Sequence, residues 1–191
     1  MRAISPLNLE SLNVPLPIKE KLLELSRNVN FLKQSRKGSN GWLFFGINKI
    51  SRQSVAVKFY DWGGDQTYHA EPRNLAAITS ENVVQILDAS HVDTNFAYFL
   101  TPYFRNGDLD EDLCHGNYGN IKSINFVRDI LSGLSHLHAS SLLHRDLKPQ
   151  NILISDEQRA VIGDFGSVKK VPEGRNSVPG SGHSLIYRPP E

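Results

Sequence analysis

His144-Arg145-Asp146-Leu147-Lys148-Pro149-Gln150-Asn151 is followed, thirteen residues after Asn151, by Asp164-Phe165-Gly166. Between them lie two short apolar runs, 152–154 and 160–162, joined by the polar turn 155–158. Runs of this kind flanking a turn predict a β-hairpin. Asn151 then enters the hairpin and Asp164 leaves it on the same side, so their side-chain oxygens converge. A hard cation such as Mg2+ takes oxygen ligands and keeps nucleotide phosphates as further ligands. Asp146 sits beside this site, a carboxylate placed to accept the proton of an attacking hydroxyl. A charged surface turn would explain either motif alone. It does not explain two in register.

Upstream stands Val55-Ala56-Val57-Lys58. Its alternation buries a strand and presents Lys58 at a cleft, although a lysine on an edge strand is the ordinary meaning of such a run. Seventeen residues before Lys58 comes Gly41, within Gly38-Ser39-Asn40-Gly41-Trp42-Leu43. Glycines let a turn approach phosphate closely and offer it bare N–H groups, with Trp42 placed to shield the phosphates. A plain hairpin turn is the competing reading. Glu71 opens the next predicted helix, where an ion pair to Lys58 would aim the ammonium at phosphate. The helix dipole alone would also favour an acid there.

The remaining pattern fits around these motifs. Residues 1–16 read as a loose lead-in. Residues 17–28 read as an amphipathic brace, with Ile18, Leu22 and Leu25 at helical spacing and Pro17 in the first turn. Strands are predicted at 31–32, 42–47, 54–60, 83–89 and 96–103, and a helix over 67–79 with Leu75 and Ile78 inward. A long helix follows, its apolar face made of Ile124, Val127, Ile130, Leu131, Leu134 and Leu137. The Gly/Pro/Ser-rich stretch 166–183 reads as a loop. The sheet half gives way to the helical half near 102–106.

Composition narrows the class. The chain has 191 residues with 21 basic and 20 acidic side chains, for a net charge of +1. That balance argues against nucleic-acid or membrane-surface binding. One cysteine, Cys114, excludes an internal disulfide and suits a reducing, cytoplasmic setting. Neither a signal-peptide core nor a membrane-spanning run is apparent.

Together these residues resemble the protein kinase family, from about residue 30 to Glu191. The resemblance implies an α+β, two-lobed protein-kinase-like fold. It has an antiparallel β-sheet N-lobe with one main helix (30–102), a hinge (102–106) and an incomplete helical C-lobe (107–191), after an N-terminal extension (1–29). It implies a transferase that moves the terminal phosphate of ATP, with Mg2+, to serine or threonine on a protein substrate. Lys58 is similar to the phosphate-binding lysine and Glu71 to its partner, Asp146 to the catalytic base, and Asn151 and Asp164 to the magnesium ligands. Lys148 is similar to the lysine that serine/threonine-type members hold near the transferred phosphate. Gly38, Gly41 and Leu43 fall in the nucleotide loop. Thr101 falls at the gatekeeper position, with Pro102, Tyr103 and Phe104 as hinge, where adenine would use the Pro102 carbonyl and the Phe104 N–H. Ala56 and Leu153 would sandwich the ring, and Leu75, Leu87, His144 and Phe165 would stack as a spine. The run 184–191 resembles the end of an activation segment. Ser177 and Ser181 are candidate phosphosites whose phosphate would pair with Arg145; unchanged activity with both replaced by alanine would remove that role.

Two departures stand out. Arg36 occupies the place of the loop's first glycine. The family also continues past the activation segment with helices that complete the C-lobe, so the chain reads as a fragment or a minimal kinase. Its C-lobe would then expose apolar surface unless a partner or further segment covers it. A scaffold that binds without transfer and a small-molecule kinase are the competing functions.

Overall fold

The computed structural model describes residues 6–35, 41–64, 69–116, 119–178 and 187. The chain divides into two compact units. One comprises Met1–Gly64 with Ile86–Tyr103, the other Asp65–Gln85 with Phe104–Glu191.

The first unit begins with α1 (Leu16–Leu25), which carries a proline in its first turn. Ile18 and Leu22, four residues apart and so on one side of the helix, are fully buried. They pack on a five-stranded antiparallel sheet of β1 (Val29–Gln34), β2 (Trp42–Asn48), β3 (Ser54–Asp61), β4 (Asp88–His91) and β5 (Phe96–Pro102). The order is β1-β2-β3-β5-β4. On β3 the period-two rule is followed closely: Val55, Val57 and Phe59 are fully buried while Ala56 and Lys58 are half-buried. The buried face joins Phe31, Phe44, Tyr98 and Leu100 with α1 in one core. Phe44 meets Phe31 and Phe59 edge-on, at centroid distances of 6.3 and 6.0 Å. Burying each such side chain stabilises the unit by about 1.5–3 kcal/mol. The expected brace is therefore an integral layer of this core.

The second unit contains α2 (Pro72–Ala76), α3 (Leu109–His115), α4 (Asn120–Ala139) and the short strands β6 (Leu142–Leu143), β7 (Ile152–Ile154), β8 (Ala160–Ile162) and β9 (Lys169–Lys170). β7 pairs with β8 and β6 with β9. Both strands of the expected hairpin occur at the predicted residues, in the register Ile152↔Ile162, Leu153↔Val161, Ile154↔Ala160.

Four expectations differ from what is seen. The helix expected over 67–79 is the five-residue α2. Pro72 is its first residue, and a proline pushes the residue before it out of helical geometry; Glu71 is extended, with φ −61° and ψ 134°. The strand expected over 83–89 starts only at Asp88, because Val83 bridges to Ile162 of β8 instead. α3 was not expected, although Asp108 caps it by accepting from the Glu111 N–H, a capping pair visible in the sequence. On α4 the buried residues are Phe126, Asp129, Gly133 and Leu137. Of the expected inner face, Ile124, Val127 and Leu131 are 66%, 56% and 61% exposed, beside Ile121 at 78%.

Candidate active site

In the first unit, strand register decides which side chains share a face. Leu43 lies opposite Lys58, and Phe45 opposite Ala56. Ala56 lies opposite Thr101, and Lys58 opposite Phe99. Directly paired residues in an antiparallel ladder point to the same side. Leu43, Ala56, Lys58 and Thr101 therefore occupy one face, and the α1 core occupies the other. Trp42 is on the core side. It lies opposite Phe59 and meets Phe96 edge-on at 5.5 Å, which removes the expected shielding role. Gly41 has φ +129°, and a Cβ there would stand 2.0 Å from the Phe59 carbonyl oxygen. Its glycine is needed for that crossing. Gly38 and Arg36 lie outside the described residues. Pro102 ends β5 opposite Val55, and the Tyr103 N–H donates to the Ser54 carbonyl at 3.0 Å.

In the second unit, polar contacts gather the catalytic-loop residues. The Lys148 ammonium donates to Asp146 Oδ2 at 2.7 Å. Asn151 Nδ2 donates to the Asp146 carbonyl at 2.7 Å and to Asp146 Oδ2 at 3.2 Å. Both donors are buried or nearly so, and a carboxylate removed from water is tolerable only with partners of this kind. The hairpin ends close on themselves: the Gly163 N–H donates to the Asn151 carbonyl at 2.8 Å. Asp164 follows at φ +54°, with Oδ1 accepting from the Gly166 N–H at 3.3 Å. His144 Nε2 donates to the Gly163 carbonyl at 2.8 Å, and its ring meets Phe165 edge-on at 6.1 Å. These contacts bring Asp146, Lys148, Asn151 and the residue before Asp164 into one bonded cluster.

Other expected residues are distributed as follows. Glu71 is exposed just before α2, in the second unit, whereas Lys58 is in the first. Leu153 is half-buried on β7 and bridges to Asp108. Phe104 is half-buried. Of the expected spine, Leu75, His144 and Phe165 are buried and Leu87 is 37% exposed. Arg145 is left-handed, with φ +69°, and burial pushes its guanidinium below the ordinary arginine range. Ser177 is exposed, while Ser181 and 188–191 lie outside the described residues.

The donor set suits magnesium. The Asn151 amide nitrogen is engaged by two oxygens of Asp146, which leaves the amide oxygen as the group to offer a cation. With the Asp164 carboxylate that makes two hard oxygen donors. Magnesium commonly takes one or two protein carboxylates and fills its remaining positions with phosphate and water. Among the described residues no cluster of three or more His, Cys, Asp or Glu could hold a metal, so a protein-only cage is not the alternative there.

Three buried or bridging polar residues were missed: Asn82, Asp129 and Arg159. Asp129 holds the Arg159 guanidinium above its ordinary range. An acid spaced among Phe126, Gly133 and Leu137 on one helical side was the available signal.

A family model described as the protein kinase domain matches residues 32–191. The chain is 31% identical over 167 residues to a Dictyostelium discoideum protein named as a cyclin-dependent serine/threonine-protein kinase, covering 84% of this chain and 24% of that protein. It is 31% identical over 173 residues to the mitogen-activated protein kinase kinase kinase mkh1 of Cytospora mali, covering 81% and 9%. Over 73 residues it is 44% identical to a 3-phosphoinositide-dependent protein kinase of Caenorhabditis elegans, covering 38% and 12%. The chain spans about a quarter or less of the length of these relatives.

Proposed function

The chain belongs to the protein kinase domain family, and on that premise we propose that it transfers the terminal phosphate of ATP, with Mg2+, to serine or threonine hydroxyls of a protein. The carrying observation is the bonded cluster at the hairpin mouth, where Asp146 is gripped by Lys148 and Asn151 and the hairpin closure at Gly163 delivers Asp164.

In this reading Asp146 is the base. The acceptor oxygen attacks the terminal phosphorus, the bond to the bridging oxygen breaks, and its electron pair leaves with the diphosphate. The acceptor proton passes to the Asp146 carboxylate. Asn151 and Asp164 would hold magnesium, which supplies charge neutralisation on the phosphates when bound. Lys148, already on Asp146 at 2.7 Å, is positioned to offset the charge of the moving phosphoryl group. Lys58, oriented by Glu71, would hold the other phosphates. Ala56 and Leu153 would sandwich adenine, with the Pro102 carbonyl and the Phe104 N–H as its hydrogen-bond partners, Thr101 at the gatekeeper position and Leu43 in the nucleotide loop. Residues 30–191 form the kinase domain, and 1–29 an extension whose helix belongs to the first unit's core. A cytoplasmic location fits the single exposed thiol of Cys114; among the described residues no helix is long and apolar enough to cross a membrane.

A second reading has one observation in its favour. The exposed stripe Ile121, Ile124, Val127 and Leu131 on α4 is the surface a binding module, or a domain awaiting a covering segment, would present. Transfer assays with radiolabelled ATP, Mg2+ and generic protein substrates separate the two. Asp146→Asn is expected to lower transfer by about 10²- to 10⁴-fold with nucleotide binding retained. Nucleotide binding without transfer by the unaltered chain would sink the enzyme reading.

A further inference from the structure

We propose that Asp129, acting with Arg159, is a positioning residue that sets β8 and thereby the magnesium-binding arm Asp164; this rests on the site reading above. Asp129 lies in the middle of α4 and is only 4% exposed. A carboxylate there is costly unless it is paired. Its two oxygens have separate partners. Oδ2 accepts from the Ala160 N–H at 3.2 Å, and Oδ1 lies 3.5 Å from Arg159 Nη2. The other arm of the Arg159 guanidinium pairs with the Glu81 carboxylate.

These contacts act on the outer edge of β8, which the hairpin's own ladder leaves open. Ser155 N–H donates to the Arg159 carbonyl and Gly163 N–H to the Asn151 carbonyl. In an antiparallel pair the intervening residues 160 and 162 then turn their backbone groups outward. All four of those groups are met. Asp129 takes the Ala160 N–H, and Asn82 Nδ2 donates to the Ala160 carbonyl at 3.2 Å. Ile162 N–H donates to the Asn82 carbonyl at 2.9 Å, and Val84 N–H to the Ile162 carbonyl at 2.8 Å. Helix, loop and strand are also in close contact: a Cβ at Gly133 would stand 2.4 Å from the Asn82 carbonyl oxygen. Asp164 is two residues past Ile162. A strand held at both outward positions leaves little freedom for the carboxylate that follows. Asp129 is the only carboxylate in this scaffold with a bond to the β8 backbone among the contacts of the described residues, so it is the member whose charge couples α4 to the strand.

The test compares Asp129→Ala and Asp129→Asn with the unaltered chain and with Phe44→Ala, a structural control in the first unit. Mn2+ affinity of the ATP complex is read by electron paramagnetic resonance, ATP affinity is measured in the presence of EDTA, and amide exchange is followed by NMR. Asp129→Ala is expected to weaken Mn2+ binding about tenfold, at the low end for groups that orient metal ligands. Metal-free ATP affinity should stay within about twofold, and the amides of 160–164 should exchange faster than the rest of the second unit. Asp129→Asn, which keeps an acceptor for Ala160 but not the ion pair, should fall between. Metal affinity that drops only in step with stability, as in the control, overturns the positioning role. If the unaltered chain binds no metal–nucleotide, or Asp164→Asn leaves that binding unchanged, the site reading fails instead. The exchange measurement still decides in that case, since unchanged protection at 160–164 in Asp129→Ala overturns the proposal.

Discussion

The sheet of the first unit and the β7–β8 hairpin of the second both bury apolar side chains, yet they differ in how much outside polar groups hold them. Alternation along β3 puts Val55, Val57 and Phe59 into an apolar core under α1. The hairpin has only three residues in each strand and is fixed by polar groups from outside it: Asn82, Asp129 and His144 all bond to its backbone or to Gly163. Apolar burial is non-directional and tolerates small shifts, whereas a hydrogen-bonded scaffold is geometric. The sheet should therefore owe its stability to that apolar core, and the hairpin the alignment of its chemical groups to the outside polar anchors.

The largest expected effect tests the first half of that contrast. Phe44→Ala empties a fully buried site between Phe31 and Phe59. It should cost about 3–5 kcal/mol in urea unfolding followed by tryptophan fluorescence. A loss below about 1 kcal/mol would mean the sheet is not held by this core. Gly133→Ala comes next and has an informative sign. On an exposed helix the change stabilises by roughly 1 kcal/mol. Here the added methyl meets the Asn82 carbonyl and the Ile162 side chain, so a net loss of about 1–3 kcal/mol is expected. A gain in midpoint temperature would show the loop free to yield. The smallest effect is expected from Val127→Ser on the exposed face of α4, within about 0.5 kcal/mol of zero. A loss well beyond that would mean the face is covered in solution.

Much of the site was legible because its signals are local. Asn151 and Asp164 could be placed at the two ends of a hairpin from the runs between them. Ala56, Lys58 and Thr101 fall on one face because strand side chains alternate. The start of the helix expected over 67–79 was misread because the weight of Pro72 was missed. Its steric effect on Glu71 instead makes it the start. The inner face of α4 was misread for a subtler reason. That helix carries apolar residues on two sides, and periodicity cannot rank two stripes. Phe126, Gly133 and Leu137 face inward, but a glycine adds nothing to a hydrophobic pattern and Asp129 subtracts from it. Trp42 was assigned to the wrong side because its placement depends on pairing with Phe59.

The order of chemical groups along the chain, the hairpin between Asn151 and Asp164, and the two faces of β3 followed from the amino acids alone. They rest on bond geometry and side-chain alternation within a few residues. Which side of α4 turns inward, where residues 82–84 find their partners, and why an acid is buried at 129 were settled only by tertiary structure. Each depends on what stands opposite across tens of residues of chain, and free energies of burial and pairing are properties of both partners.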